Sequence, residues 1–387
     1  MKVFKNGKVV FPDGVSDCAV VVDCGKIIGF SETLAAENAE TVDAKGGYIF
    51  PGFIDIHVHG GGGADFMDGS PEAMETAIAT HLAHGTTSIC PTTMSAELGE
   101  IDRTFKVYRE VKERGRYEAN LLGLHLEGPF ISPKMCGAQR LELIISPTEK
   151  EINWLKENAD IIARISCAPE VEGVLEMAEA LKEDKIQFSM GHTNATYEQA
   201  EEAFEKGFSS VTHMYSATSG FHKVNQKVHI GVTQAGYGVD GLFVELIGDG
   251  CHVPKELLRL VKRFKGAEYI CLVTDAMRAA GTDVTESYLG SICPENRVII
   301  DDGVAKLPDK SFFAGSIGTM DRAVRFAVTT AGLPVHEVSK MVSLTPARLL
   351  GIDVEKGSLE KGKDADIVIM DEAFTVQSVF VKGKQVV

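Results

Sequence analysis

Two hydrophobic patterns divide the chain. In the first fifty residues, short runs of β-branched and aromatic residues at 3–4, 9–11, 19–22, 26–30 and 41–43 are separated by Asn-Gly, Asp-Gly and Cys-Gly turn signals. That punctuation predicts short strands. Comparable runs at 367–370, 376–380 and 384–387 end the chain. The two ends are therefore expected to share one small β-sandwich domain, residues 1–50 with 351–387, leaving 51–350 as a second unit. Within that unit, eight apolar segments at 53–58, 86–90, 121–126, 161–166, 187–190, 209–212, 242–247 and 269–274 alternate with amphipathic stretches. The alternation predicts parallel strands with helices between them, and eight such units predict an α/β fold of the (β/α)8 TIM barrel type.

Helix boundaries agree with this division. Ser70-Pro71 opens a helix that Gly85 closes, Ser146-Pro-Thr-Glu149 reads as a capping box, and Thr196 opens a helix ended by Gly207. Residues 292–307 read as an inserted hairpin. A doubly wound sheet is the rival architecture, but Gly60-Gly-Gly-Gly63 lacks the GxGxxG spacing of a dinucleotide site.

Composition narrows the function. The 387 residues are 44% hydrophobic and 24% charged, with a mean hydropathy of +0.01, which excludes a disordered or membrane-embedded chain. With 39 Lys+Arg against 55 Asp+Glu the net charge is −16. That field repels nucleic acid and anionic membrane surfaces and favours small-molecule partners. No apolar run has the length of a membrane span, and residues 1–10 lack a signal-peptide core, so a cytoplasmic address is expected. The eight cysteines never form a CxxC pair, which argues for packed thiols over a zinc ribbon or disulfide scaffold.

In a barrel of this kind the C-terminal strand ends carry the active site. Here they read His57-Val-His59, His125-Leu-Glu127, Gly191-His192, His213, Asp249 to His252, and Asp275. His57 and His59 leave the same face of one strand, so both imidazoles can share an ion; hydrogen-bonded core histidines are the alternative. A buried Glu127 needs compensation from a divalent cation, or from Arg140 or Lys134. His192 and His213 end adjacent strands, and each alone has an equally good structural reading. Asp275 suits metal binding and proton transfer, or a helix N-cap. Taken together, six such residues converging on one barrel mouth predict metal chemistry.

The segments Pro51-Gly-Phe-Ile-Asp-Ile-His-Val-His-Gly60, His125-Leu-Glu-Gly-Pro-Phe130, Gly191-His-Thr-Asn194, Thr212-His-Met-Tyr215, Asp249-Gly-Cys-His252 and Val273-Thr-Asp-Ala276 resemble, in that order, the N-acetylglucosamine-6-phosphate deacetylase family of the amidohydrolase superfamily. The resemblance implies a metal-dependent hydrolase that removes the acetyl group of an amino-sugar phosphate. It implies that Glu127, His192 and His213 hold one divalent ion, zinc or iron, and that His57 and His59 favour a second, with Asp275 as a ligand and the acid/base. His252 would polarise the acetyl carbonyl. Substrate contacts would come from Ala138, Gln139, Ser216, Ala217, Asp249, His252, Phe313, Ala314 and Gly315, and the resemblance implies a homodimer.

The chain departs from the family after Tyr215. Ungapped counting from His213 puts Val224 where the family's phosphate-gripping Arg stands, leaving His222 and Lys223, with Lys227 and His229, as the charged candidates of that loop. Two alternatives stay open: an amidohydrolase for another N-acyl amino sugar or small amide without a phosphate, and a metal-binding scaffold without catalysis.

Overall fold

The computed structural model describes residues 1–31 and 38–387. Eight parallel strands form the central barrel: Phe53–Val58, Thr86–Thr93, Leu124–Glu127, Ile162–Cys167, Gln187–Met190, Phe208–Val211, Phe243–Ile247 and Ile270–Val273. Neighbours pair in chain order. The ring closes between the last strand and the first, through a parallel bridge from Val58 to Ala276 and a 2.8 Å hydrogen bond from Asp275 N to the His57 carbonyl. All eight predicted strands are present. The third starts later than expected, because Gly123 at φ +119° breaks the run and leaves Asn120–Leu121 as a separate short strand.

Helices lie where the capping chemistry places them, with one correction. Pro71–Ala83 follows Ser70, whose hydroxyl accepts from Ala73 N at 3.2 Å, and Tyr197–Glu205 has a capping box of Thr196 and Gln199. The box expected at Ser146 to Glu149 sits two residues later. Thr148 is the extended N-cap and Glu151, three residues on, returns to its backbone N at 3.0 Å. Pro147 thus precedes the cap instead of occupying the first turn.

Both chain ends do share one sheet. Its six strands run Lys384–Gln385, Val376–Val381, Ile367–Met370, Tyr48–Pro51, Lys8–Phe11, Gly14–Asp17. A four-stranded sheet, Lys26–Gly29, Val20–Asp23, Lys2–Lys5 and Glu40–Asp43, packs with it around Phe4, Val9, Val20, Ile27, Ile49, Ile367 and Phe380. Sequence reading missed two of these strands. Gly14–Asp17 is a largely exposed edge without apolar alternation, and Tyr48–Pro51 runs almost directly into the first barrel strand, which hides the junction at Gly52. The expected hairpin insertion is a three-stranded sheet, Glu286–Tyr288, Arg297–Asp301 and Val304–Lys306. Among the described residues, no helix is long and apolar enough to cross a membrane.

The barrel interior below the site is charged. Arg164 on the fourth strand and Glu245 on the seventh are both fully buried and paired through Arg164 Nη2 and Glu245 Oε1. Arg164 also donates to Gln187 Oε1 at 2.9 Å and to the Ile56 carbonyl at 3.1 Å. A buried pair is costly to break one-sidedly, because the survivor keeps an uncompensated charge. Arg164→Ala should therefore lower stability by about 3–5 kcal/mol, read as a reduced urea midpoint. Replacing both partners by Met and Leu should recover part of that loss.

Candidate active site

Glu127 ends the third strand at the centre of the barrel mouth. One oxygen, Oε1, lies 2.9 Å from His213 Nε2, 3.2 Å from His192 Nε2 and 3.3 Å from His57 Nε2. The other, Oε2, is 3.4 Å from His59 Nε2 and accepts from Gln139 Nε2 at 3.0 Å. Asp275 Oδ1 closes the cluster at 3.3 Å from His59 Nε2 and 3.5 Å from His57 Nε2. Six residues from five strand ends thus aim their donor atoms at one small volume.

The backbone sets this aim. His192, His213 and Asp275 each stand two residues past the end of a barrel strand and hold φ values of +46°, +27° and +47°. Non-glycine residues pay a conformational cost for that left-handed region, and such strain concentrates at functional sites. Gly128, next to Glu127, is at φ +81°, where an added Cβ would lie 2.2 Å from Ser95 Oγ.

Ring partners identify which nitrogens are free to bind an ion. His192 Nδ1 lies 2.8 Å from the Met135 carbonyl, which only an N–H can satisfy, so Nδ1 donates and Nε2 carries the lone pair. His57 Nδ1 faces Glu245 Oε2 at 3.1 Å in the same way, and His57 Nε2 is buried without a hydrogen-bond partner. Imidazole lone pairs therefore converge on carboxylate lone pairs, which is stable only with positive charge between them. In the protein alone that charge comes from protons. Burial works to lower the His57 and His59 pKa values, but Glu127 and Asp275 outweigh it and hold His57 well above its ordinary value and His59 at about 9. Burial likewise opposes ionisation of Glu127 and Asp275, and the surrounding imidazoles override it, keeping both below the usual carboxylate range.

This donor set fits a metal. Two overlapping groups, His57 with His59 and Asp275 and His57 with Glu127 and His213, keep their ligand atoms within 4.8 Å of one another. The individual separations of 2.9–3.5 Å are close to the edge, about 3.3 Å, of a tetrahedron with bonds of roughly 2.0–2.1 Å. His125, by contrast, is a core histidine. It contacts Ser166 Oγ at 2.7 Å and Thr92 Oγ1 at 3.3 Å, and burial with Arg164 nearby holds its pKa well below the ordinary value.

A cavity of about 580 Å³ opens above the cluster. Ala138, Gln139, Ser216, Ala217, His252, Phe313 and Gly315 line it with His59, Glu127, His192, His213 and Asp275. Asp249 stands behind His252: its Oδ2 accepts from Nδ1 at 2.7 Å and its Oδ1 accepts two backbone N–H groups, leaving Nε2 as the free ring nitrogen. Ala314 is buried off the cavity. His222 and Lys223 lie on an exposed hairpin, His222–Val224 with Lys227–His229, outside the lining. Arg140 pairs with Glu142 and does not reach Glu127. Sequence reading gave no substrate role to Met94, Lys134, Tyr215, Leu289, Lys310 and Phe312, which also line the cavity; Lys134 is named there only as an alternative partner for Glu127 and Tyr215 only within the Thr212–Tyr215 motif, and the others come from loops whose composition carries no chemical signature.

The sequence profile of the amidohydrolase family matches residues 48–386. This chain belongs to the amidohydrolase family. It is 35% identical to an N-acetylglucosamine-6-phosphate deacetylase of Lysinibacillus sphaericus, over 93% of this chain and 91% of the relative. It is 34% identical to an N-acetylgalactosamine-6-phosphate deacetylase of Escherichia coli O157:H7, over 87% of each. The crystal structure of N-acetylglucosamine-6-phosphate deacetylase from Pasteurella multocida superposes with a TM-score of 0.91 at 32% identity, covering 99% of both chains. The barrel and the sandwich are thus those of a family member. Glu127→Ala should leave the far-UV circular dichroism unchanged and lower the bound divalent metal in elemental analysis, since four of the other five donors, His57, His59, His192 and His213, meet at this carboxylate.

Proposed function

We propose that the protein hydrolyses the acetamide of N-acetylglucosamine 6-phosphate, releasing acetate and glucosamine 6-phosphate. The observation that carries this reading is the Glu127-centred donor cluster at the floor of a cavity large enough for one sugar phosphate. The names of the relatives supply the substrate class. The galacto epimer is the second reading, favoured by the 34% identical relative that acts on it.

Glu127, His192 and His213 would hold one ion, and His57, His59 and Asp275 a second, with zinc or iron suited to this nitrogen and oxygen set. When bound, a divalent cation at this position supplies Lewis acidity, activating water and polarising a carbonyl. The remaining work falls to side chains. Asp275, ionised and lining the cavity, accepts a proton from water as oxygen adds to the acyl carbon. It then returns the proton to the sugar nitrogen as the C–N bond breaks, so that the amine departs neutral. His252, fixed through Nδ1 by Asp249, presents Nε2 to the acyl oxygen. Gln139 holds Glu127 in place from the substrate side.

A second copy of the chain is the proposed partner. Its support is the apolar strip Phe221, Val224, Val228 and Ile230, all exposed on or beside the hairpin. Sedimentation velocity tests it, a monomer being the adverse result.

Acetate release from N-acetylglucosamine and N-acetylgalactosamine, each with and without the 6-phosphate, tests the activity; no release from any of the four defeats it. Asp275→Asn should retain fold and volume while kcat falls about 10²–10⁴-fold. Full activity in that variant would remove Asp275 from proton transfer.

A further inference from the structure

We infer that Lys134 is the residue that selects for the substrate's phosphate, assisted by Lys310. The inference rests on the deacetylase reading above and concerns how this chain recognises the far end of that substrate. A phosphate monoester carries a charge of about −1.5 to −2 at neutral pH, and a protein of net charge −16 must offset its own field locally to bind one. Among the described residues lining the cavity, Lys134 and Lys310 are the only lysines and there is no arginine. The lysines of the exposed hairpin, Lys223 and Lys227, lie outside that lining, and Arg140 is engaged by Glu142.

The two cavity lysines are not equivalent. Lys310 Nζ is already paired with Asp301 at 2.7 Å, so an anion must compete for it. The Lys134 side chain forms no hydrogen bond or ion pair with the described residues, and its ammonium is free for an incoming anion. Its backbone, however, is fixed. Lys134 sits in the short turn Pro133–Met135, which is tied to His192 from both sides: Ser132 N donates to the His192 carbonyl, and His192 Nδ1 donates to the Met135 carbonyl, each at 2.8 Å. The same loop continues to Gln139, which holds Glu127. One rigid segment therefore carries the free cation and two contacts to the reaction centre. A phosphate held by Lys134 sets the position of the sugar relative to Glu127 and His192, which is how binding energy at a remote group becomes orientation at the reacting one.

The test compares wild type, Lys134→Ala, Lys134→Arg and Lys223→Ala on N-acetylglucosamine 6-phosphate and on N-acetylglucosamine. Lys134 is exposed and unpaired, so its variants should melt with wild type. Loss of one charge-assisted contact should raise KM for the phosphorylated sugar about ten- to a hundredfold, with kcat nearly constant and a much smaller change on the plain sugar. Lys134→Arg should keep most of the affinity. Equal losses on both sugars, or a loss in Lys223→Ala with none in Lys134→Ala, would overturn the assignment. If wild type releases no acetate at all, the proposed activity fails separately. Calorimetric binding of glucosamine 6-phosphate then decides Lys134, which survives only if Lys134→Ala weakens binding and Lys223→Ala does not.

Discussion

A single carboxylate organises this protein's chemistry. Glu127 meets His57, His59, His192, His213 and Gln139 within 3.4 Å, and it does so from a position almost wholly removed from water. An isolated ionised carboxylate could not persist there. Its survival depends on positive charge shared among the surrounding imidazoles, and the same convergence of lone pairs fits a divalent cation. The cluster is thus a stability problem for the protein alone and a binding site in the presence of metal, for one and the same electrostatic reason.

The rest of the barrel is arranged to keep these groups from relaxing apart. Left-handed backbone at His192, His213 and Asp275 turns each side chain back over the mouth instead of continuing outward. Beneath them, Glu245 holds the far nitrogen of His57, and Arg164 compensates Glu245 with further bonds to Gln187 and Ile56. The donor atoms therefore rest on a second layer of buried polar contacts. Such networks rigidify where their members are satisfied; His57 is held in this way from its far side while its unpartnered Nε2 points into the cluster, whereas His59 Nδ1 and His213 Nδ1 are buried without a partner.

The cavity above adds direction. His252 and Asp249 stand on the seventh-strand loop, while the 132–139 loop brings Gln139 to the carboxylate and hydrogen-bonds His192 through its backbone. The Glu127 cluster and the proposed recognition residue Lys134 are joined by a few residues of chain, so small displacements of this loop reach both.

Much of this was legible beforehand. Strands show themselves by apolar runs and turns, so all eight barrel strands and the union of the termini could be read from the chain; the exposed edge Gly14–Asp17, the strand merging into the barrel at Gly52, and the short strands His222–Val224, Lys227–His229 and Glu286–Tyr288 escaped. The six donor residues were legible because His, Asp and Glu interrupt apolar strands at their C-terminal ends. What remained hidden was whatever depends on three-dimensional neighbours. His125 has the same local context as the cluster residues, yet Ser166 and Thr92 occupy both its ring nitrogens. Lys223 and Lys134 are both loop lysines in the sequence, and only the folding of their loops places one outside the cavity and the other on its wall. Sequence thus determined which chemical groups the protein possesses and which strands carry them, because those follow from local pattern. Tertiary structure alone decided which groups face one another, because burial, ring partners and charge compensation arise between segments far apart along the chain.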